Sequence, residues 1–531
     1  MDFSMYEAQA TSIKVDDIAR NSNNREVLRR IQRNNAGDWI SLCIQSQHWT
    51  PYGGGEDCIY YFPEGAYDMG WLGYFVSKNE HLQELIIKPF TPISGEKYAD
   101  VIEPFFRGVN NNKSIREICF VNVILLGGEM FTMLTPFFQN NYNLTNIVIN
   151  ECDFGDEGCR LFALALGSST NKSLRSVTLE NLLQENDSIA EEGMVDIITA
   201  LSVHPHLQSL DLEGNSLSKN GCVALATLLR CSAKELQCLF ISNNEINDGG
   251  IEALVPVLST CSHLKELHLM NNPSITTRGW QSLAAILEAP NSNLGVLYLV
   301  NNNIDDEAVA TFAKALTTNN KLHKIFLDNI PTITAVGWQA FSKILCDASS
   351  VNSTFLSNHT IHYLGDEVDD VVGTEVTTLL DLNCREDKKE VAMIKILLYH
   401  EDFDMQPFFE WEFKVLPLMI NWLDRASKCK MPARESLQIN IGTIDQYFEP
   451  NIEERKLSII YQFVRGMPVL YVETRLRKEL EEIKSEESQM VEKLEEEQRR
   501  LLQEFEQRKR YLQERKESIT KNLGVGGNLH I

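Results

Sequence analysis

One pattern, LxxLxL, recurs along the middle of this chain and constrains its fold more than any other feature. It starts at Leu82, Ile115, Leu144, Leu174, Leu207, Leu236, Leu264, Leu294 and Leu322, with a degraded tenth start at Val351. The intervals are 33, 29, 30, 33, 29, 28, 30, 28 and 29 residues. The best-kept units read LQSLDLEGNSL, LQCLFISNNEI, LKELHLMNNPSI and LGVLYLVNNNI, and their ninth positions are Asn215, Asn244, Asn272 and Asn302. A period of this length marks stacked copies of one supersecondary unit, none of which can bury its apolar face alone.

Each LxxLxL predicts a short strand, because alternate side chains of an extended chain point to opposite faces and the leucines then share one core. The asparagine that follows can bond backbone groups where the chain turns. Between the strands lie DGGIEALVPVLST, TRGWQSLAAILEA and AVGWQAFSKILCD, whose apolar positions recur three and four apart, as on one helix face. Gly193, Gly221, Gly250, Gly279 and Gly337 fall near the helix starts, where close packing or an unusual turn is expected. Strands and helices of unequal width bend such an array, so the predicted fold is an α/β horseshoe solenoid of about ten repeats with its strands on the concave side.

These units resemble the ribonuclease-inhibitor-like class of leucine-rich-repeat proteins over about residues 80–360. The resemblance implies the horseshoe and leaves function open, since the class includes nuclease inhibitors, GTPase regulators, actin regulators and receptor sensor domains. MGWLGYFVSKNEHLQEL from Met69, FFRGVNNNKSI from Phe105, DMQPFFEWEFKVLPLMINWL from Asp404 and IIYQFVRGMPVLY from Ile459 also resemble an uncharacterised diatom family of leucine-rich-repeat proteins.

The flanks divide by composition. Residues 1–81 do not fit the repeat and read as an N-terminal cap, and residues 82–365 are the solenoid. Asp366, Glu367, Asp369 and Asp370 open an acidic linker over 366–375 that lacks the EF-hand spacing. A helical capping domain is expected over 376–471, with Trp411, Phe413, Leu416 and Trp422 in its core. Residues 472–520 read as one long charged helix or coiled coil, and 521–531 as a flexible tail. The window 471–520 holds 14 acidic and 12 basic residues without Pro or Gly. Leu480, Val491, Leu494, Leu501, Phe505, Leu512 and Ile519 form a staggered seam in it, interrupted by Lys484, Glu487, Gln498, Arg508 and Arg515. Acidic residues dominate before Gln498 and basic ones after it.

Charge and motifs narrow the function. Asp and Glu total 74 against 49 Lys and Arg, a formal net charge of -25, which argues against broad attraction to DNA, RNA or anionic lipid. The opening MDFSMYEAQATSIKVDD has no secretory pattern, and no apolar run is long enough to span a bilayer. The twelve cysteines lack CxxC pairs and are expected to be reduced structural thiols in a cytoplasmic, or nuclear, protein. No phosphate loop, HExxH zinc motif, GxSxG elbow or GxGxxG fingerprint occurs, so neither an enzyme nor a cofactor is expected. His359 and His362 lack a ligand set, and Cys152, in the slot usually held by asparagine, packs with its neighbours, as does Cys159.

The concave face supplies the candidate site. The residue between the last two leucines points away from the core, giving Val148, Thr178, Asp211, Phe240, His268, Tyr298 and Phe326 in successive repeats. Two positions on are Asn150, Glu180, Glu213, Ser242, Met270, Val300 and Asp328. With strands about 4.8 Å apart, Phe240, Met270, Tyr298, Val300 and Phe326 should form one exposed patch, with His268 among them as a candidate contact. Glu180, Asp211 and Glu213 border it, and Lys265, His323 and Lys324 lie at its edge. Aromatics and Met beside a charged rim are the chemistry of protein interfaces. The expected function is a non-catalytic scaffold that recognises a protein on this face, with a homo-oligomer or a coiled-coil partner on the terminal helix. The alternatives are a stoichiometric inhibitor of a basic enzyme such as a ribonuclease, and a GTPase-activating or other GTPase regulator.

Overall fold

Consecutive repeats pair strand to strand into one parallel sheet in the computed structural model, which describes residues 3–35, 40–47, 58–91, 96–123, 128–182, 188–232, 234–365, 374–400 and 470–522. Its strands are β1 (Ile40–Ile44), β2 (Cys58–Tyr61), β3 (Leu82–Ile87), β4 (Glu117–Val121), β5 (Asn146–Asn150), β6 (Ser176–Glu180), β7 (Ser209–Asp211), β8 (Cys238–Phe240), β9 (Glu266–His268), β10 (Val296–Tyr298) and β11 (Lys324–Phe326). The sheet order is β2, β1 and then β3 through β11 in sequence, with a helix between successive strands from β3 onward. Leu210, Leu239, Leu267, Leu297 and Ile325 pair with one another across neighbouring strands and are fully buried. The connecting helices turn their three-four spaced residues to the same core, as Ile251, Leu254 and Leu258 do in the helix Asp248–Leu258.

Two columns of asparagine hold the turns on either side of the strands. At the ninth position Asn244 Oδ1 accepts from the backbone N–H groups of Asn215 and Leu217, while its Nδ2 donates to the carbonyls of Leu212 and Ser242. Asn215, Asn272 and Asn302 make the equivalent bonds in their own repeats. The residue before each of these explains the paired asparagines of the best units: Asn243, Asn271 and Asn301 adopt left-handed backbone with φ near +55°, which asparagine tolerates better than most residues. The second column stands three residues before the first apolar position of each repeat, as Asn112 does before Ile115. There Asn79, Asn112 and Asn358 each accept from the backbone N–H groups two and three residues on and donate back to carbonyls of the preceding part of the chain.

In that second column His204 takes the asparagine's place. It is buried, with Nδ1 3.1 Å from the Asn171 carbonyl oxygen, and burial pushes its pKa from 6.5 down to about 4. Between those values the unfolded chain binds a proton that the folded chain refuses, so His204 makes stability fall as pH drops from 6.5 toward 4. His204→Asn removes this share. Thermal melts at pH 7 and pH 4.5 should show a smaller loss of Tm in the variant than in the parent, and an unchanged loss would contradict the assignment.

The N-terminal segment extends the sheet. Residues 40–44 and 58–61 add two strands in parallel register to β3, and the helix Ser22–Arg33 serves the outer edge. Asn23 Nδ2 donates to the Tyr60 carbonyl, and Asn24 exchanges bonds with the Phe62 backbone at 2.6 and 2.9 Å. Side-chain amides thus occupy backbone groups that an open edge would offer to another strand.

The tenth repeat does not begin at Val351. Residues Val351–Phe355 form a helix N-capped by Ser350, and Leu356, which an LxxLxL reading needs in the core, is exposed. The tenth unit lies at Ile361–Leu364, where Tyr363 bridges in parallel to Lys324 and Ile361 and Leu364 are buried. The helices Thr374–Asn383 and Lys388–Tyr399 follow. Asn383 Nδ2 donates to the carbonyls of Asn358 and Ile361, and the buried Lys395 ammonium donates to those of Leu345 and Asn358, its pKa lowered by burial to about 7. These two helices therefore bond to the end of the last repeat. Most of the acidic linker, the expected core residues Trp411, Phe413, Leu416 and Trp422, and the last nine residues lie outside the described residues. The terminal helix runs over Leu470–Asn522 and belongs to a second compact unit.

Candidate protein-binding face

Strand register brings the predicted aromatic residues into a stack. Asp211 pairs with Phe240, Phe240 with His268, His268 with Tyr298, and Tyr298 with Phe326. Ring centroids are 4.1 Å apart between Phe240 and His268, 3.9 Å between His268 and Tyr298, and 4.1 Å between Tyr298 and Phe326. The interplanar angle falls along this series from 37° to 21° to 11°. A fifth ring, Tyr363, continues the stack 4.6 Å from Phe326. The position that would carry the next side chain of the column is Gly365, and Tyr363 leans over from two residues earlier. Gly365 has φ +121°, and a Cβ there would approach Asp328 Oδ1 to 2.7 Å, so the bare backbone is required.

All five rings are half-buried because each covers its neighbour, leaving their outer edges to solvent. Met270 and Val300 stand half-buried in the next column. Ser242, in that same column, is fully buried, and its hydroxyl accepts from the Met270 N–H, so it belongs to the turn and not to the patch. His268 Nε2 lies 3.6 Å from a Glu266 carboxylate oxygen; burial lowers the pKa of this imidazole, with Glu266 opposing, so at neutral pH it stacks as an uncharged ring.

On the N-terminal side the face turns acidic. Burial pushes the Asp211 carboxyl up to about 6 even though it accepts from the Glu213 N–H at 3.0 Å. Burial also raises Glu180, with the charges of Asp211 and Glu213 adding to it. Glu213 accepts from Asn243 Nδ2. Among the described residues none of these three carboxylates pairs with a Lys or Arg. At the patch edge Lys265, His323 and Lys324 are exposed; Lys265 Nζ donates to Gln237 Oε1 at 2.9 Å, and the His323 ring lies 6.0 Å from that of His362.

The other candidates are not brought together. Cys152 does the asparagine's work with sulfur, accepting from the Val123 N–H at 3.4 Å and donating to the Asn150 carbonyl at 3.2 Å. Cys159 is buried against Gly193. His359 and His362 each approach a backbone carbonyl of their own segment, those of Phe355 and Thr360. Among the described residues no group of three His, Cys, Asp or Glu could hold a metal ion, and no helix is long and apolar enough to cross a membrane. Sequence reasoning missed Tyr363, whose signal was Asn358 three residues before Ile361, the same spacing as Asn319 before Leu322.

A leucine-rich-repeat family model matches residues 203–226, 235–255 and 260–284, which include most of β7, β8 and β9 and their helices. The chain is 26% identical over 212 residues to the mouse NACHT, LRR and PYD domains-containing protein 5; the match spans 36% of this chain and 18% of the mouse protein. The yeast Rad7 and Elc1 complex overlaps 68% of this chain and 83% of its own at 13% identity and a TM-score of 0.38. An internalin from Listeria monocytogenes overlaps 62% and 95% at 14% identity and a TM-score of 0.33. The strand register, the asparagine columns and the matched segments together make the parallel-sheet body a leucine-rich-repeat solenoid.

Proposed function

We propose that this chain is a non-catalytic protein-interaction scaffold of the ribonuclease-inhibitor-like class, working in the cytoplasm or nucleus and recognising a protein through the concave rings of β8 to β11. The observation that carries this reading is the stack itself. Phe240, His268, Tyr298 and Phe326 present a continuous aromatic edge whose spacing is set by backbone pairing, and Tyr363 extends it. Such a surface loses little conformational entropy when a partner docks, and large aromatic contacts dominate interface energies.

The test is quantitative affinity capture from native extract with the full chain and with F240A/Y298A/F326A, after matching folded-state spectra. The triple variant should retain the specific partner at least roughly a hundredfold less well, since truncated interface aromatics cost about 2 kcal/mol or more where they are central. Equal retention would remove the patch assignment. A truncation after Tyr471 separates recognition by the terminal helix from recognition by the sheet.

One observation favours a second reading, stoichiometric inhibition of a basic enzyme. Glu180, Asp211 and Glu213 crowd beside Phe240 with no cationic partner among the described residues, and desolvation already raises two of them. A lysine or arginine of the bound protein would relieve that repulsion. No comparable feature favours GTPase regulation.

A further inference from the structure

The terminal helix carries an exposed, interrupted heptad seam of the kind that a second helix covers. It runs 53 residues without a break, about 80 Å at 1.5 Å per residue. Every described side chain from Leu480 to Lys521 is exposed, including Leu494, Leu501, Phe505 and Leu512. Two columns in heptad spacing form its seam: Leu480, Glu487, Leu494, Leu501, Arg508 and Arg515 in one, and Lys484, Val491, Gln498, Phe505, Leu512 and Ile519 in the other. A continuous helix cannot fold back on itself, so its cover is a separate segment, and its own charge pattern bears on which one.

The charge pattern selects that molecule and its direction. Residues 479–497 hold nine Glu and two Lys, while residues 498–521 hold eight Lys or Arg and four Glu. Both complementary halves lie on the same helix. We propose that this helix pairs with its counterpart in a second copy of the chain as an antiparallel coiled coil, with Leu480 of each facing Ile519 of the other.

In that register Leu494 meets Phe505, Gln498 meets Leu501, Glu487 meets Leu512 and Val491 meets Arg508. Each layer occurs twice because the pair is symmetric. Charges that interrupt the seam are then set mostly against apolar residues, whose neighbours let long side chains reach water. Lys484 and Arg515 remain the one like-charged layer. Outside the seam Glu481 comes opposite Lys516, and Met490, which is exposed, comes beside the exposed Tyr511. A parallel pair would instead place Lys484, Glu487, Arg508 and Arg515 each against its own copy, and would set the acidic half against the acidic half. Like charges at close range disfavour that arrangement.

The test uses the full chain, mixed in equal parts as natural and heavy-nitrogen protein. Sedimentation across a concentration series reports the dimer, and a zero-length carbodiimide cross-linker followed by mass spectrometry reports direction. Glu481 and Lys516 of one helix stand roughly 52 Å apart, so a link between them joins two molecules. The expected result is a mixed-isotope Glu481–Lys516 link. L494K/F505K should weaken dimerisation about tenfold or more, since lysines replace the apolar layer that the dimer buries twice, with helix content by circular dichroism unchanged because both positions are exposed. A monomer at every concentration, a dimer indifferent to L494K/F505K, or mixed-isotope Glu504–Lys509 links without Glu481–Lys516 would each overturn the proposal. The last pattern belongs to a parallel pair.

Discussion

Asn244→Leu lowers the stability of the repeat body by about 3–5 kcal/mol, far more than a change that keeps the branched four-atom skeleton of the side chain implies. The amide makes four buried hydrogen bonds, at 3.0 and 2.8 Å to the N–H groups of Asn215 and Leu217 and at 3.0 and 2.9 Å to the carbonyls of Leu212 and Ser242. Leucine fills the space and satisfies none of them. Each backbone group left buried without a partner costs about 1–3 kcal/mol, and the contributions do not simply add. The lost bonds join two repeats, so the damage extends beyond the mutated unit. Urea denaturation followed by far-ultraviolet circular dichroism checks this: the midpoint should fall sharply, and a change of less than about 1 kcal/mol would contradict the ladder's role.

Gly108→Ala should cost about 3 kcal/mol or more, although alanine ordinarily stabilises a helix relative to glycine. The helices Ala66–Lys78 and Tyr98–Val109 cross backbone against backbone. A Cβ on Gly108 would lie 1.9 Å from the Gly73 carbonyl oxygen and 2.4 Å from its carbon. The reverse contact is equally closed, because a Cβ on Gly73 would meet the Pro104 carbonyl oxygen at 2.7 Å. Rigid backbone stands on both sides, so the helices must separate. Gly249→Ala is the control: its nearest neighbour is the flexible Lys219 side chain at 3.1 Å, and its stability should stay within about 0.5 kcal/mol of the parent. Thermal melts of the two variants should differ widely. Similar melts would mean that the helix crossing yields more easily than its geometry implies.

The sequence was most legible where one face of a strand is buried and the other is not. From β4 to β10 the alternation of half-buried and buried residues is complete, and the leucine phase placed Phe240, His268, Tyr298 and Phe326 on one face without ambiguity. β1 gave no such signal because all five of its residues are buried, which erases the period of two. The tenth repeat was misplaced for a different reason. An inserted helix stretches the spacing, so a search at 28 to 33 residues lands on Val351, whose following residues suit an N-capped helix. The asparagine before each strand marks the true position, but its meaning depends on bonds to the preceding repeat that spacing alone does not reveal. Long helical periodicity was likewise clear, and the helix over Leu470–Asn522 matches the charged segment to within two residues at either end.

Recognition through the stacked rings, as proposed, requires that a bound partner shield them. Carbene footprinting of the full chain, alone and in complex with the protein it captures, tests this most directly. The account predicts that labelling falls at Phe240, His268, Tyr298, Phe326 and Tyr363, with Met270 and Val300 following, while the outer helices keep their labelling. Unchanged labelling of these rings, with protection confined to the outer helices or the terminal helix, would contradict it.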